Sequence, residues 1–328
     1  MRPIASVGHP LIFLSPPPQF LLRWRSARTP PSPRIRAQVD SNRIQPVGGN
    51  HAIEVMAIGV EWAAPTLDDA QLALLQKVYE ENTAVKAFLP TLAPMQAFIF
   101  QGMNQFGVAS PDGNVKITPQ NVTPPQFITR SGGFDLQRFD PSGKAAWVVS
   151  IRPEFISVNC SAYDRWRNVK SQALAILQAF VEAAMAEGAT IAAIGLQYQD
   201  AFKLRDGASP AVSAELFRND GKFLPTDLFE QPSFWHCHQG WFSAAPDARR
   251  ILNNVATEMA DVNGTHFVRI GGQHRVHAIA LDGTKPIPIN AGEIDAILQC
   301  LHEENIKVVN GILSDGALQA IGCTVEGT

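Results

Sequence analysis

Two histidines separated by one residue are the most conspicuous candidates for chemistry in the chain. His236 and His238 lie in the segment WHCHQGWF at 235–242. In an extended strand, alternate side chains project from the same face, so both imidazoles could reach one metal ion. The spacing therefore indicates a zinc site, and a metal-dependent hydrolase is one interpretation of this segment.

A catalytic zinc ion needs a third protein ligand. Asp261, His266 and His277 are the candidates, and together they also form a polar row that could act as acid, base and orienting partner. No nucleophile lies near this row in the sequence, so we assign no catalytic residue. Polar pairs on a solvated sheet face are the alternative interpretation. We predict no cofactor, with zinc at His236 and His238 as the alternative.

Large aromatic side chains surround the two histidines. Trp235, Trp241 and Phe242 lie in a long region punctuated by Gly and Pro. Aromatic residues in such a region are typical of interface anchors. Our leading interpretation is a recognition module that binds a protein partner or a second copy of itself through this segment. Binding of a small ligand between sheet and helices is a further alternative.

Two other groups have competing interpretations. Trp166, which is flanked by two arginines, could belong to a nucleic-acid patch, but it falls on the apolar stripe of a helix and is better explained as a core anchor. Tyr198, Asp200 and Arg205 either face a ligand or lie at the edge of a sheet.

Two turns should position the polar row. The Asn-Gly pair at 263–264 is a strong hairpin signal, and the Gly-Gly pair at 271–272 is a weaker one. In the resulting meander, Asp261 pairs with His266, and His266 pairs with His277. The three strands would span 254–262, 265–270 and 273–281.

Three helices are predicted from a capping pattern followed by apolar residues at helical spacing. Thr66 opens the first helix, Ser161 the second and Asn290 the third, and Gly188 ends the second. Strand patterns occupy 52–62, 126–129, 134–139, 145–160 and 191–204.

This succession predicts an α+β fold in which an antiparallel sheet is covered by long amphipathic helices. Residues 1–48 are expected to be a disordered leader, because they are rich in Pro and Arg. Residues 49–205 form an N-terminal α+β subdomain, 206–250 an irregular crossover, and 251–328 a C-terminal meander with a helix.

Charge is unevenly distributed along the chain. Residues 1–43 contain seven Arg, no Lys and one acid, whereas the remainder carries 20 bases and 29 acids. The leader has the composition of a transit peptide, but its eight prolines oppose the helix that such a peptide forms. A disordered leader, or residues translated upstream of the functional start, is the preferred explanation. The acidic remainder disfavours nucleic acid as a partner.

The sequence also predicts a compartment. No run of about 18 apolar residues occurs, which excludes a transmembrane helix and a membrane partner. The four cysteines are far apart and form no metal or redox motif. Free thiols are typical of a reducing compartment, so we predict a cytoplasmic protein. Nucleotide-binding and serine-hydrolase motifs are missing from the sequence.

Four short motifs carry a resemblance to a known family. They are YxxW at Tyr163 and Trp166, GLQYQDAF at 195–202, LHxxN at 301–305, and Ile-Gly at 321–322. In these motifs the chain resembles a sporadically distributed family of uncharacterised bacterial proteins, over roughly residues 50–325. The resemblance implies a cytoplasmic α+β protein and no particular activity.

Overall fold

An antiparallel sheet of ten strands dominates the computed structural model, which describes residues 44–101, 126–205, 215–218, 223–225, 228 and 234–323. The sheet order is β3-β4-β5-β6-β2-β7-β10-β9-β8, and β1 pairs with β7. The strands are β1 Ile44–Pro46, β2 Ile53–Trp62, β3 Thr91–Gln101, β4 Gln126–Phe139, β5 Ala145–Ile151, β6 Phe155–Cys160, β7 Ile191–Leu204, β8 His236–Ala244, β9 Arg249–Val262 and β10 Thr265–Ala280.

Five α-helices accompany the sheet in the described part of the chain. They are α1 Asp69–Glu81, α2 Thr83–Phe88, α3 Trp166–Ala186, α4 Ile294–Ile312 and α5 Asp315–Ala320. Helix α4 contacts β7 and β10, α3 contacts β6, and α1 contacts β4. None of the described helices is long and apolar enough to cross a membrane.

Two hydrophobic clusters form the core. One joins buried residues of α1, α3 and the first half of α4 to β2, β5, β6 and β7. The other joins the end of α4 and α5 to β7, β9 and β10. Strand β7 contributes to both clusters, because it lies near the middle of the sheet between β2 and β10.

The helix starts differ in how closely they follow the capping patterns. Helix α1 is capped by Asp68, which lies two residues after the predicted Thr66. Asp68 exchanges hydrogen bonds with Gln71. Helix α3 begins after Arg165 without a side-chain cap. The capping box of Asn290 and Glu293 is confirmed, and it opens one 3-10 turn that leads into α4.

The Asn-Gly hairpin between β9 and β10 is confirmed. Asn263 and Gly264 both have positive φ, at 54° and 80°. This conformation matches the right-handed twist of the two strands. Asp261 therefore pairs with His266, as predicted.

The predicted turn at 271–272 is wrong, because β10 runs without interruption through both glycines. Consequently His266 does not pair with His277, whose partner is Ala193 on β7. A Cβ atom at Gly272 would overlap the Asn305 side chain of α4. Glycine is needed here so that a helix can approach the strand, not so that the chain can turn.

Two strands lie in segments for which we predicted no regular structure. Strand β1, at 44–46 of the predicted leader, pairs with β7 and buries Ile44. Strand β8, within the predicted crossover, pairs with β9. The sheet is continuous from β7 to β10. Residues 1–43 of the predicted leader lie outside the described residues.

Candidate functional site

A cavity of about 320 Å³ lies at the end of β7 that contains Tyr198 and Asp200. Its wall is built from β7, the start of β2, the start of α3, the middle of α4 and residues 321–323. Side chains on a strand alternate between faces, so Tyr198 and Asp200 project from the same face of β7. The cavity therefore lies where two helix segments approach that face.

Aromatic rings form much of this wall. Trp166, the first residue of α3, stacks on His302 of α4 with 4.4 Å between ring centroids. The Tyr198 hydroxyl lies 2.9 Å from His302 Nδ1. Tyr163 meets Tyr198 edge to face at 6.3 Å, and His51 meets Tyr163 in the same way at 5.5 Å. Each ring is held by a neighbour, so the wall is preformed.

Asp200 is the unusual residue of the cavity. Its side chain is on a central strand and only 6% of the residue is exposed. Within the part of the chain that the structure describes, its carboxyl group has no hydrogen bond and no ion pair. Burial raises the pKa of Asp200 to about 7. A buried carboxyl group is normally paired or hydrogen-bonded, so this one needs a separate explanation.

The surrounding ionisable groups leave the charge of Asp200 uncompensated. Burial raises the pKa of Tyr198 and of Tyr163, in part together with the charge of Asp200, so both phenols are neutral near pH 7. Burial lowers the pKa of His302 to about 4, so this imidazole is neutral as well. Burial, and to a smaller extent the negative charge of Asp200, raises the pKa of the Cys323 thiol.

The rim of the cavity carries one acid and one base. Asp164 and Arg165 are both exposed and both line the opening. The Asp164 carboxylate accepts hydrogen bonds from the Asn168 side chain and from the backbone N–H of Arg165. The rim is thus close to neutral, and Asp164 has partners that Asp200 lacks.

A chain of buried polar side chains connects the cavity wall to β8. Asn305, which lines the cavity, lies with its Oδ1 atom 3.2 Å from His274 Nε2. His274 Nδ1 lies 2.8 Å from Asn253 Oδ1. Asn253 in turn donates to the Ser243 hydroxyl of β8 at 2.9 Å. These polar contacts fix α4 on the sheet beside the cavity.

The two histidines of β8 are adjacent, as their spacing predicts. The rings of His236 and His238 are 5.8 Å apart and both residues are exposed. The candidate third ligands do not join them. Asp261 and His266 contact each other at 3.3 Å, whereas His277 is partly buried beside β7. Within the described residues, no group of three or more potential metal ligands is present.

The aromatic residues beside the histidines have different environments. Trp235 is buried against Phe217, with 5.7 Å between ring centroids. Trp241 is partly buried in the second hydrophobic cluster. Phe242 is 56% exposed, and the Arg250 guanidinium lies 4.9 Å from the centre of its ring. A contact surface on β8 would therefore consist mainly of Phe242 and the free side of the strand.

Comparisons with protein-family models, with curated proteins and with solved structures find no match to this chain. The family resemblance drawn from the four short motifs therefore stays a prediction. All four motifs nevertheless contribute to one place, because each supplies residues of the cavity wall. These residues are Tyr163, Trp166, Tyr198, Asp200, His302, Asn305, Ile321 and Gly322.

The sequence pointed to part of this site only. It marked Tyr198 and Asp200 as a row that faces a ligand or a sheet edge, and the structure places both in the cavity on a central strand. Arg205, the third member of the row, does not line the cavity. Trp166 was interpreted as a core anchor, and His302 was noted only as part of the LHxxN motif, without a functional role. A signal was present: Asp200 is an acid among the apolar residues of a buried strand face.

Proposed function

We propose that this protein binds a small molecule in the cavity beside Asp200. The observation that carries the proposal is a buried carboxyl group without a protein partner, at the wall of a preformed aromatic cavity. Burying a charged group without compensation is costly, and such exceptions concentrate at functional sites. A ligand that pairs with Asp200 would remove this cost.

The size and position of the cavity support the same proposal. Its volume, about 320 Å³, lies at the lower end of the range for ligand pockets. We infer that the long helices cover one face of the sheet, since α1, α3 and α4 each contact one of its strands. On this view the cavity is the gap between that layer and the sheet.

A fragment set in a thermal-shift assay tests the proposal. Ile306 lines the cavity and is 43% exposed, so Ile306→Trp should fill the opening without disturbing the core. Lys307→Trp places the same ring on the next residue of α4, which does not line the cavity. We expect fragments that stabilise the wild type to lose their effect with Ile306→Trp and to keep it with Lys307→Trp. Equal stabilisation of all three proteins would overturn the proposal.

Recognition of a protein partner, or self-association, through β8 is the second candidate. It is favoured by the position of β8 at one end of the sheet and by the exposed ring of Phe242. A strand end with an exposed aromatic ring is suited to pairing with another chain. Light scattering over a concentration series tests self-association: a dimer that dissociates with Phe242→Asp supports it, and a monomer at all concentrations opposes it.

A further inference from the structure

We propose that the ligand of the cavity is a small organic cation, whose ammonium group pairs with the Asp200 carboxylate and contacts the surrounding aromatic rings. This inference rests on the proposed ligand-binding function and narrows it to one chemical class. It follows from the charge of the site and from the composition of its wall.

The charges of the cavity wall determine the sign of the charge on the ligand. Asp200 is the buried acid of the cavity, and the described wall contains no buried cation to balance it. Arg165 is exposed at the rim, where Asp164 offsets it. An anionic ligand would face the Asp200 carboxylate without a compensating charge. A cationic ligand would supply the missing counter-charge in a site of low polarity, where ion pairing is strongest.

The wall distinguishes an organic cation from a metal ion. Calcium and magnesium need about six or more oxygen ligands, and zinc needs about four ligands from His, Cys, Asp or Glu. His51, His302 and Cys323 also line the cavity, but no three potential ligands among the described residues lie close enough together to hold a metal ion.

Asp200 is the one buried carboxyl group of the described wall, and the rings of Tyr163, Trp166 and Tyr198 line the same cavity. Aromatic faces attract cations, and alkylated ammonium groups are recognised by such rings together with a carboxylate. The Trp166 ring already stacks on His302 and has Lys170 Nζ 5.9 Å from its centre, so Tyr163 and Tyr198 are the rings that we assign to the ligand.

A matched pair of probes separates charge from shape. Choline carries a trimethylammonium group, and 3,3-dimethylbutan-1-ol has the same shape with carbon in place of nitrogen and no charge. Titration calorimetry on the full chain at pH 8 should show choline binding at least about tenfold more tightly than the alcohol. Equal affinities, or absence of choline binding, would overturn the inference.

Asp200→Asn keeps the size of the side chain and removes its charge. We expect choline affinity to fall by about tenfold or more, while affinity for the alcohol is unchanged or higher. Asp164→Asn is the matched control, because it removes a carboxylate from the exposed rim of the same cavity. Its effect on choline should be less than about threefold, since exposed charges are screened. A larger loss with Asp164→Asn than with Asp200→Asn would contradict the assignment.

A pH series on the wild type provides a second test that needs no substitution. Choline affinity should fall by about tenfold or more from pH 8 to pH 5.5, because protonation removes the charge of Asp200. Of the groups that face Asp200, the phenols and the Cys323 thiol stay neutral over this range, and His302 titrates below it. His51 and the rim pair also face the cavity. If the pH dependence persists in Asp200→Asn, one of those groups is responsible and the inference fails.

Failure of this inference is distinguishable from failure of the proposed function. Neutral or anionic fragments that bind in the wild type and not in Ile306→Trp would show a ligand site of different chemistry. If only metal ions bind, and their affinity is lost in Asp200→Asn, the ligand is an inorganic cation and not an organic one. If no fragment is sensitive to Ile306→Trp, both the function and the ligand class are rejected.

Discussion

The cavity at the end of β7 and the exposed strand β8 contrast in how their polar groups are satisfied. On β8, His236 and His238 face solvent and need no protein partner. In the cavity, Asp200 is only 6% exposed and has no partner among the described residues. The exposed histidine motif therefore has no desolvation cost, whereas burial of the Asp200 carboxylate has a large one.

The largest expected effect is a difference between wild type and Asp200→Asn in how the free energy of unfolding depends on pH. The raised pKa of Asp200 means that the folded state keeps a proton that the unfolded state loses above about pH 4. In the wild type, protonated Asp200 therefore contributes to the stability of the folded state at low pH, and this contribution is lost as the pH rises to about 7. The free energy of unfolding of Asp200→Asn minus that of wild type should increase by about 2–4 kcal/mol from pH 4.5 to pH 8. Urea titrations at the two pH values measure this difference.

Asp164→Asn should shift in the opposite direction. Hydrogen bonds from Asn168 and from the Arg165 backbone lower the pKa of Asp164, so its contribution to stability is present above pH 4 and lost in acid. The variant should therefore be less stable than wild type at pH 8. If Asp200→Asn is also less stable than wild type at pH 8, the Asp200 carboxylate has a favourable protein partner. The contrast between an unpaired acid in the cavity and solvated histidines on β8 would then be wrong.

Two glycines sharpen the contrast between a packed and an open region. A Cβ atom at Gly272, beside the cavity, would overlap the buried Asn305 side chain, which is fixed by His274. At Gly240 on β8, the nearest atom is the end of the half-exposed Asn254 side chain at 2.6 Å, which can rotate away, and the Asn253 carbonyl oxygen at 3.2 Å needs only a small shift. We expect Gly272→Ala to cost about 1–3 kcal/mol and Gly240→Ala less than about 1 kcal/mol, measured by urea unfolding. Equal costs would show that α4 can move.

A smaller effect is expected from the aromatic wall. Tyr198→Phe removes the hydrogen bond between the hydroxyl group and His302 while keeping the ring. The expected loss is about 1 kcal/mol in free energy of unfolding, because the ring nitrogen of His302 is left without this partner. A variant as stable as wild type would indicate that water replaces the hydroxyl group, and hence that the hydrogen bond to His302 does not hold Tyr198 in the cavity wall.

The smallest effect is expected on β8. His236→Ala combined with His238→Ala should change the free energy of unfolding by less than about 0.5 kcal/mol, since both side chains are exposed. Elemental analysis of protein purified without a His tag tests the metal alternative. Stoichiometric zinc in the wild type, lost in the double variant, would make β8 the functional region.

Local sequence signals predicted the elements whose shape is decided locally. The Asn-Gly turn gave the β9–β10 pairing, and the predicted strand 191–204 coincides with β7. The same approach failed at 271–272, because Gly-Gly is compatible both with a turn and with a strand that a helix approaches closely. Only the position of α4, set by tertiary packing, decides between these two possibilities.

The candidate site depended on contacts that no local pattern contains. Tyr198 and His302 are 104 residues apart, and Trp166 reaches Gln299 across 133 residues. Sequence could mark Asp200 as an acid on an apolar strand face, but not that its carboxyl group lacks a partner. The two histidines of β8 were placed correctly on one face, yet the strand alone could not show whether a third ligand lies beside them.

Crystals soaked with a mixture of small fragments, cations included, test most directly that the cavity and not β8 is the functional site. We predict density for bound fragments between Tyr163, Tyr198 and Asp200, with a cationic nitrogen within hydrogen-bond or ion-pair distance of the Asp200 carboxylate. Fragments bound along β8 at His236 and His238, with an empty cavity in the same crystals, would show that β8 and not the cavity is the functional site.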